Sequence, residues 1–528
     1  MALFCIFFWL SPVCFRFPKT DIPSKILFAI GIVSSGGGIL FGYDIGIVSG
    51  AMHQLQQHFS LSCLEQEVMV SSLLLGALGG SLFGGYLIDR VGRKASIVSA
   101  SLLFLVGAMI LAGAMNYGTL LLGRIILGFA MSLSAASECV YVSEVAPAKI
   151  RGSLVSLNEF GITLGILLSY FIGLAFATNP SGWRYMFGLS SIGGLVVCIT
   201  ILFLPRSPRF LLLNGKTVEA KDALTQVRTR SESFRVSLEE EFTSMRNLPV
   251  DTSGCFSFQQ QCNRKLCFPV FIGIGLVVFQ QTTGEPNVLF YASTILSQLG
   301  FHSDAAAGLA AVCLGLSKVV ATVVCLLFVD RLGRKVFLLI GSMVMAFTIL
   351  GVAIVSFVNE VQGVYMCSTP NASNVSLAGN ITGSPINPGV PEIKWVALML
   401  LMIFIAAYSC SFGPVSWIIL SEIFPLNVRG RLFALVTCFN WAVNLAISAS
   451  FLDFAKSSQG LAGPFVTSCV FCVAATVFIY LVIPETRGKR LEEISALLDK
   501  GLISFMRTQC RCSNDEPSMP LIRMEAVS

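Results

Sequence analysis

Asp44 lies in GGGILFGYDIGIVSG (36–50), within a stretch from Ile26 to Met52 that carries no other charged residue. A carboxylate at hydrocarbon depth costs about 3 kcal/mol on insertion scales, so it pairs, faces water or titrates. The obvious partner is Arg124, in LLGRIILG (121–128), also inside an apolar run. Burial raises the affinity of such an acid for a proton and a neighbouring guanidinium lowers it. A movement that alters this balance would load a proton on one side and release it on the other. A permanent structural ion pair is the competing reading.

Amides form the second constellation. Gln280 and Gln281 sit in an apolar setting, and Asn440 and Asn444 share one helical face at i, i+4. Unpaired polar groups are costly there. A sugar offers hydroxyls that both donate and accept, which suits amides. Trp417 can lay its ring on a sugar's C–H face while its indole N–H donates. The plainer alternatives are amides that join helices and a tryptophan anchored at an interface.

The elements that position these residues follow from composition. Hydrophobic residues make up 55% of the 528 and charged residues 12%, about half the usual soluble share. Apolar runs recur at about 26–52, 67–88, 95–115, 118–142, 153–177, 184–204, 267–293, 305–329, 336–358, 394–421, 432–455 and 463–483. Each approaches the ~20 residues of a spanning helix. The chain therefore reads as an all-α protein of the lipid bilayer with twelve transmembrane helices. Its parts are an apolar N-terminal segment (1–25), a six-helix half (26–204), a central loop with short helices (205–266), a second half (267–483) and a tail (484–528).

Lysine and arginine gather in the breaks at 89–94, 205–266, 330–335, 429–431 and 485–500, and the alternate breaks carry none except Lys456. The positive-inside rule then puts both termini and the central loop in the cytoplasm, so the basic residues mark orientation and give no support to nucleic-acid binding. Three acceptor sequons, at Asn371, Asn374 and Asn380, fall in the exofacial break 359–393 and indicate glycosylation there. The seventeen cysteines have no metal or disulfide spacing and read as packing residues; Cys63 and Cys367 share the outer face, with nothing to indicate that they meet. Three histidines and no clustered carboxylates argue against an enzyme, a metal or a cofactor.

The halves repeat one another. IDRVGRK (88–94) matches VDRLGRK (329–335), and SEVAPAKIRG (143–152) matches SEIFPLNVRG (421–430). The second pair is the more widely spaced, which places an insertion between 335 and 421, where the sequons lie. A parallel repeat of two six-helix bundles is the architecture of major facilitator transporters. Asp89, Arg90, Arg93, Glu144 and Arg151, with Asp330, Arg331, Arg334, Glu422 and Arg429, are positioned for a cytoplasmic gate. Glu144 precedes Arg151 by the same step as Glu422 precedes Arg429, so ion pairs between the halves are expected at that face in an outward-open state.

These motifs, with PRSPRFLL (205–212), QQTTGEPNVLFYAS (280–293), NWAVN (440–444) and PETRG (484–488), resemble the sugar porter family of the major facilitator superfamily over about 26–500. LSCLEQE (61–67) and the long glycosylated loop are similar to class III facilitative glucose transporters, types 10 and 12. The resemblance implies alternating access, with a hexose bound between the halves by Gln280, Gln281, Asn287, Tyr291, Trp417, Asn440 and Asn444. Departures from the family pattern are Glu159 and Lys318 for neutral amides, Tyr408-Ser409 for an aromatic–glutamate pair, and Gly284-Glu285-Pro286-Asn287, which moves the asparagine by one place. A helical step of ~100° would turn Asn287 away unless Pro286 distorts the turn. Proton-coupled members resemble this chain in having aspartate at the position of Asp44 and arginine in the fourth span.

The leading expectation is a facilitative hexose uniporter of the plasma membrane, working as a monomer, with a perinuclear pool by resemblance to class III. A proton-coupled sugar or inositol symporter using Asp44, and a transporter-like sugar sensor, stay open. Gly76, Gly80 and Gly84 suggest close helix packing, and Gly413-Pro414 a break in the tenth span.

Overall fold

The computed structural model describes residues 24–146, 151–227, 264–301, 303–360, 393–424, 429–458 and 460–487. Among them, twelve helical stretches are long and apolar enough to span a bilayer. The first six are Ile26–Phe59, Cys63–Val91, Arg93–Ala112, Tyr117–Val145, Leu157–Ala175 and Gly182–Leu202. The second six are Leu266–Phe290, Ala305–Val329, Arg334–Val358, Ile393–Ile423, Leu432–Ser457 and Ala462–Val482. Large apolar side chains such as Leu82, Phe83, Met109, Phe347 and Phe357 are exposed, which suits contact with lipid. The sequons Asn371, Asn374 and Asn380 lie outside the described residues.

Local signals start the helices. Ser62 and Glu65 form a reciprocal capping box ahead of the second span, Asn116 and Thr119 do the same for the fourth, and Ser303 caps the eighth. After the sixth span, Pro208–Leu213 and Thr217–Val227 form short helices, and Leu211, Ala220 and Ala223 share a small apolar cluster of their own.

The sequence repeat is a structural repeat. Gly92 and Gly333 hold φ of +98° and +101°, ending one span and starting the next within a single residue. That conformation suits glycine alone among common residues. The lysine two residues on behaves alike in both halves. Lys94 Nζ donates to the carbonyls of Leu202 (2.9 Å) and Leu204 (2.6 Å), and Lys335 Nζ to that of Tyr480 (2.8 Å).

Within the first half the second and fourth spans meet at backbone distance. A Cβ on Gly76 would stand 2.1 Å from the Ile125 carbonyl oxygen, and one on Gly80 2.7 Å from that of Phe129. Gly84 has ordinary room, so the close stripe ends there.

Between the halves, polar contacts gather at the end opposite the Gly92 and Gly333 turns. The Ser293 N–H donates to the Ser49 hydroxyl (2.8 Å), Tyr170 donates to the Leu289 carbonyl (3.1 Å), and Glu67 accepts from the N–H groups of Leu452 (2.5 Å) and Asp453 (2.9 Å). Nearer mid-depth, Phe41 meets Trp441 at 5.8 Å between ring centres.

Two spans are broken where the sequence carries glycine and proline. The seventh breaks at Gly284, in the left-handed region at φ +88°, and restarts as Glu285–Phe290. The tenth breaks at Ser411 (φ −118°, ψ −90°), two residues before Gly413-Pro414. One expectation is corrected: Cys63 is disulfide-bonded. The other nine described cysteines are not disulfide-bonded, so its partner lies outside the described residues.

Candidate functional site

The break at Gly284 decides the amide constellation. A continuous helix would carry Asn287 away from the glutamines; the left-handed residue resets the chain, with Pro286 in the first turn of the new helix. Asn287 therefore returns to the same interior, 3% exposed, and accepts a hydrogen bond from the Ser448 hydroxyl at 3.0 Å. The turn is distorted, the condition on which the sequence reading let Asn287 stay aligned. Asn444 Oδ1 lies 3.2 Å from the same hydroxyl, so seventh and eleventh spans meet there.

One turn earlier, Gln281 Nε2 donates to Asn440 Oδ1 at 2.6 Å, and Gln280 Nε2 donates to the Phe412 carbonyl at 3.0 Å. Phe412 follows the break in the tenth span, where its neighbour Ser411 leaves helical geometry. In both glutamines Oε1 is buried without a hydrogen-bond partner. Two orphaned acceptors beside linked amides form a surface that a hydroxylated ligand would satisfy. Trp417 is half-buried against Phe433 (5.5 Å between ring centres). Tyr291 supports the site: its ring stacks on Phe451 at 5.1 Å and its hydroxyl reaches the Ser448 carbonyl at 3.4 Å.

The replaced amides form an ionic cluster. Lys318 Nζ lies 2.6 Å from Glu285 Oε1, both side chains buried, and 5.2 Å from the centre of the Tyr408 ring. Glu159, from the first half, brings Oε1 to 3.5 Å from where a Cβ on Gly413 would stand. It thus faces the break in the tenth span from across the divide.

Asp44 and Arg124 are both fully buried, yet their side chains form no ion pair within 4 Å. Arg124 Nη1 donates to the Asp44 backbone carbonyl at 3.2 Å, and its guanidinium carbon lies 5.9 Å from the centre of the Phe187 ring. Arg124 Nε and Nη2 and both Asp44 carboxylate oxygens have no hydrogen-bond partner. The two are neighbours with unsatisfied side chains, which differs from the permanent pair considered from sequence.

At the motif turns the described ion pairs stay within each half. Arg93 Nε lies 3.1 Å from Glu144 Oε2, which also accepts from the Ser207 hydroxyl at 2.5 Å; Arg334 Nη2 lies 3.3 Å from Glu422 Oε1. Asp89, 78% exposed, is 3.5 Å from Arg93. Arg90 bonds the Tyr86 hydroxyl, and Arg331 packs on the Phe328 ring. The expected pairing between halves is not seen among the described residues. The backbones of Arg151, Asp330 and Arg429 lie in described helices, and their side chains are outside the description. Glu485 of PETRG accepts from the N–H groups of Arg334 and Lys335, both at 3.1 Å, and so closes the second motif turn.

Comparison with known proteins decides the family. Residues 30–498 match the family model described as "Sugar (and other) transporter". The chain is 39% identical to solute carrier family 2, facilitated glucose transporter member 10 of Danio rerio, over 90% of this chain and 94% of that protein. It is 37% identical to member 12 of Homo sapiens, over 90% and 85%. Among solved structures it is similar to the partially occluded inward-open form of the xylose transporter XylE from E. coli, with a TM-score of 0.71, 27% identity and 88% and 100% coverage. The proton:xylose symporter XylE bound to 6-bromo-6-deoxy-D-glucose gives 0.70, 28%, 90% and 99%.

The chain belongs to the sugar transporter family. It is a membrane transporter of the major facilitator fold, and its relatives are carriers rather than enzymes.

Three residues of this sugar transporter escaped the sequence reading. Glu285 is hidden inside QQTTGEPN, where the motif draws attention to the amides. Ser448, one turn after Asn444, could have been found by extending that face by four. Glu67, at the start of an apolar run, looks like a solvated helix end, yet it is buried against the other half.

Proposed function

We propose that this sugar transporter carries hexoses by facilitative uniport and alternating access. The observation that carries the reading is the pair of orphaned Oε1 atoms on Gln280 and Gln281, set beside the Asn440, Asn444 and Asn287 amides. Sugar hydroxyls donate to these acceptors, and Trp417 offers an apolar face. Both termini and the motif turns face the cytoplasm, and the glycosylated loop faces outward at the plasma membrane. With that orientation, the Ser49–Ser293 and Glu67–Leu452 contacts close the outer end. The facilitated glucose transporters among its relatives support this cargo and mode.

A second reading, proton-coupled symport through Asp44, rests on the buried and unsatisfied Asp44–Arg124 neighbours. The test is uptake of labelled 2-deoxyglucose into proteoliposomes, with and without an inward proton gradient, for wild type and Asp44→Asn. Equilibration that ignores the gradient supports uniport. Accumulation lost in Asp44→Asn supports symport. Absence of uptake for every hexose removes both.

A further inference from the structure

The Glu159–Lys318–Glu285 cluster holds two carboxylates and one ammonium. Lys318 and Glu285 close on one another at 2.6 Å, with side chains 6% and 4% exposed. Glu159 is the odd charge. It comes from the other half, is partly accessible, and stands within electrostatic reach of both Lys318 and Glu285. The charges that act on it come from the second half. The eighth span brings Lys318, the seventh Glu285, and the tenth Tyr408 and Gly413. The first span meets the fifth here through Gly38, beside Asn158, and Gly42, beside Ile162; its one charged residue in this stretch, Asp44, neighbours Arg124 of the fourth span. One further group belongs to this setting: Gln280, 3% exposed and set against Tyr408, leaves its Oε1 without a partner.

We propose that Glu159 is a proton-binding residue of the sugar site, and that its proton is taken up together with the sugar. The inference rests on the sugar-carrier reading and replaces its uniport mode, because a proton that enters and leaves with the sugar crosses the membrane with it. With the gap between the halves open, water solvates the Glu159 carboxylate. A sugar seated beside Gln280 and Trp417 displaces that water, and Lys318 is already committed to Glu285. The surplus negative charge then has no compensation unless the carboxylate takes a proton. The protonated group donates to a sugar hydroxyl. The proton comes from water on the open side onto one carboxylate oxygen and returns to water when the sugar leaves; no bond within the sugar changes. Because binding takes up a proton, sugar affinity is full at low pH and falls as pH rises, by at most about tenfold per pH unit.

The test is calorimetric titration of 2-deoxyglucose into the purified full-length protein, in buffers of different ionisation heat at one pH. The slope of observed heat against buffer heat counts the protons taken up. Wild type should take up a fraction of a proton, never more than one. Glu159→Gln should give none. Glu285→Gln should also give none, because Lys318 is then free to neutralise Glu159, and Asp44→Asn should keep the wild-type slope. A flat wild-type response, an unchanged slope in Glu159→Gln, or loss of the slope only in Asp44→Asn overturns the proposal. So does tighter binding of glucosamine than of glucose without proton uptake, which would make the cargo's ammonium the cation. If no hexose gives heat, the carrier reading fails separately. The proton site is then judged on sugar-free protein by the protonated-carboxyl stretch in pH-difference infrared spectra, which must be present in wild type and missing in Glu159→Gln.

Discussion

The Glu67 carboxylate accepts two backbone hydrogen bonds from the opposite half, from Leu452 at 2.5 Å and Asp453 at 2.9 Å. A single buried oxygen, Oε1, thereby holds the start of the helix Phe451–Ser457 against the second span. Removing a buried acceptor exposes its donors to a cost of about 1–3 kcal/mol. Glu67→Ala should accelerate hydrogen exchange at the Leu452 and Asp453 amides by about tenfold or more, read by mass spectrometry on peptides covering 451–458. Glu67→Gln keeps an acceptor and should fall between. Unchanged exchange in Glu67→Ala would mean that these contacts do not hold the halves together.

Asp44 and Arg124 predict an asymmetry. A carboxyl left without its neighbour can neutralise itself by taking a proton, whereas a guanidinium cannot lose one. Asp44→Asn leaves a buried cation alone, at a cost on the order of 3 kcal/mol or more. Arg124→Gln should therefore lower the apparent melting temperature less than Asp44→Asn, and the double variant should recover part of the loss. Equal losses in the two single variants would show that Asp44 does not compensate Arg124.

Glu138 is fully buried on the fourth span, takes a hydrogen bond from the Ser134 hydroxyl at 2.5 Å, and leaves Oε2 without a partner. It fits only because Gly37 has no side chain: a Cβ there would stand 1.9 Å from Oε2. Gly37→Ala should cost about 1–3 kcal/mol by overpacking. Glu138→Ala in the same chain should restore most of that, measured as melting temperature in detergent. Failure of the double variant to recover would assign the cost of Gly37→Ala to another contact.

Much of this architecture is legible in the sequence because hydrocarbon imposes length and apolarity on every span, and because a duplicated chain prints the same turn twice. Gly92 and Gly333 sit at matched places in the two motifs and adopt matched backbone angles. The misses share one cause: they depend on what lies across a gap in the chain. Glu144 meets Arg93 on another span, a contact that its spacing to Arg151 does not reveal. Asn287 looks misaligned as long as the seventh span is extrapolated as one helix, and a single left-handed residue reverses the conclusion. Cys63 reads as a packing residue because the spacing of the cysteines marks no disulfide.

Gly284 gives a direct test of that last step in the site. An alanine at φ +88° is strained by about 1–2 kcal/mol, and its Cβ would stand 2.4 Å from the Ser468 hydroxyl. Gly284→Ala should raise the KM for hexose severalfold by shifting Glu285 and Asn287. Gly300→Ala, at φ +106° with only ordinary contacts to Lys394, should lower stability and leave KM alone. An equal KM effect in both variants would separate the break from sugar binding.

The most direct measurement is counterflow in proteoliposomes preloaded with unlabelled hexose, with no ion gradient, comparing wild type with Gln281→Leu. A carrier whose single site alternates between sides accumulates labelled sugar transiently above its final level. Wild type should show that overshoot. Gln281→Leu, which removes one orphaned acceptor and the bond to Asn440, should need about three- to tenfold more sugar to reach the same rate. A monotonic approach to equilibrium in wild type, or an unaltered overshoot in Gln281→Leu at every sugar concentration, would contradict an alternating hexose site at these amides.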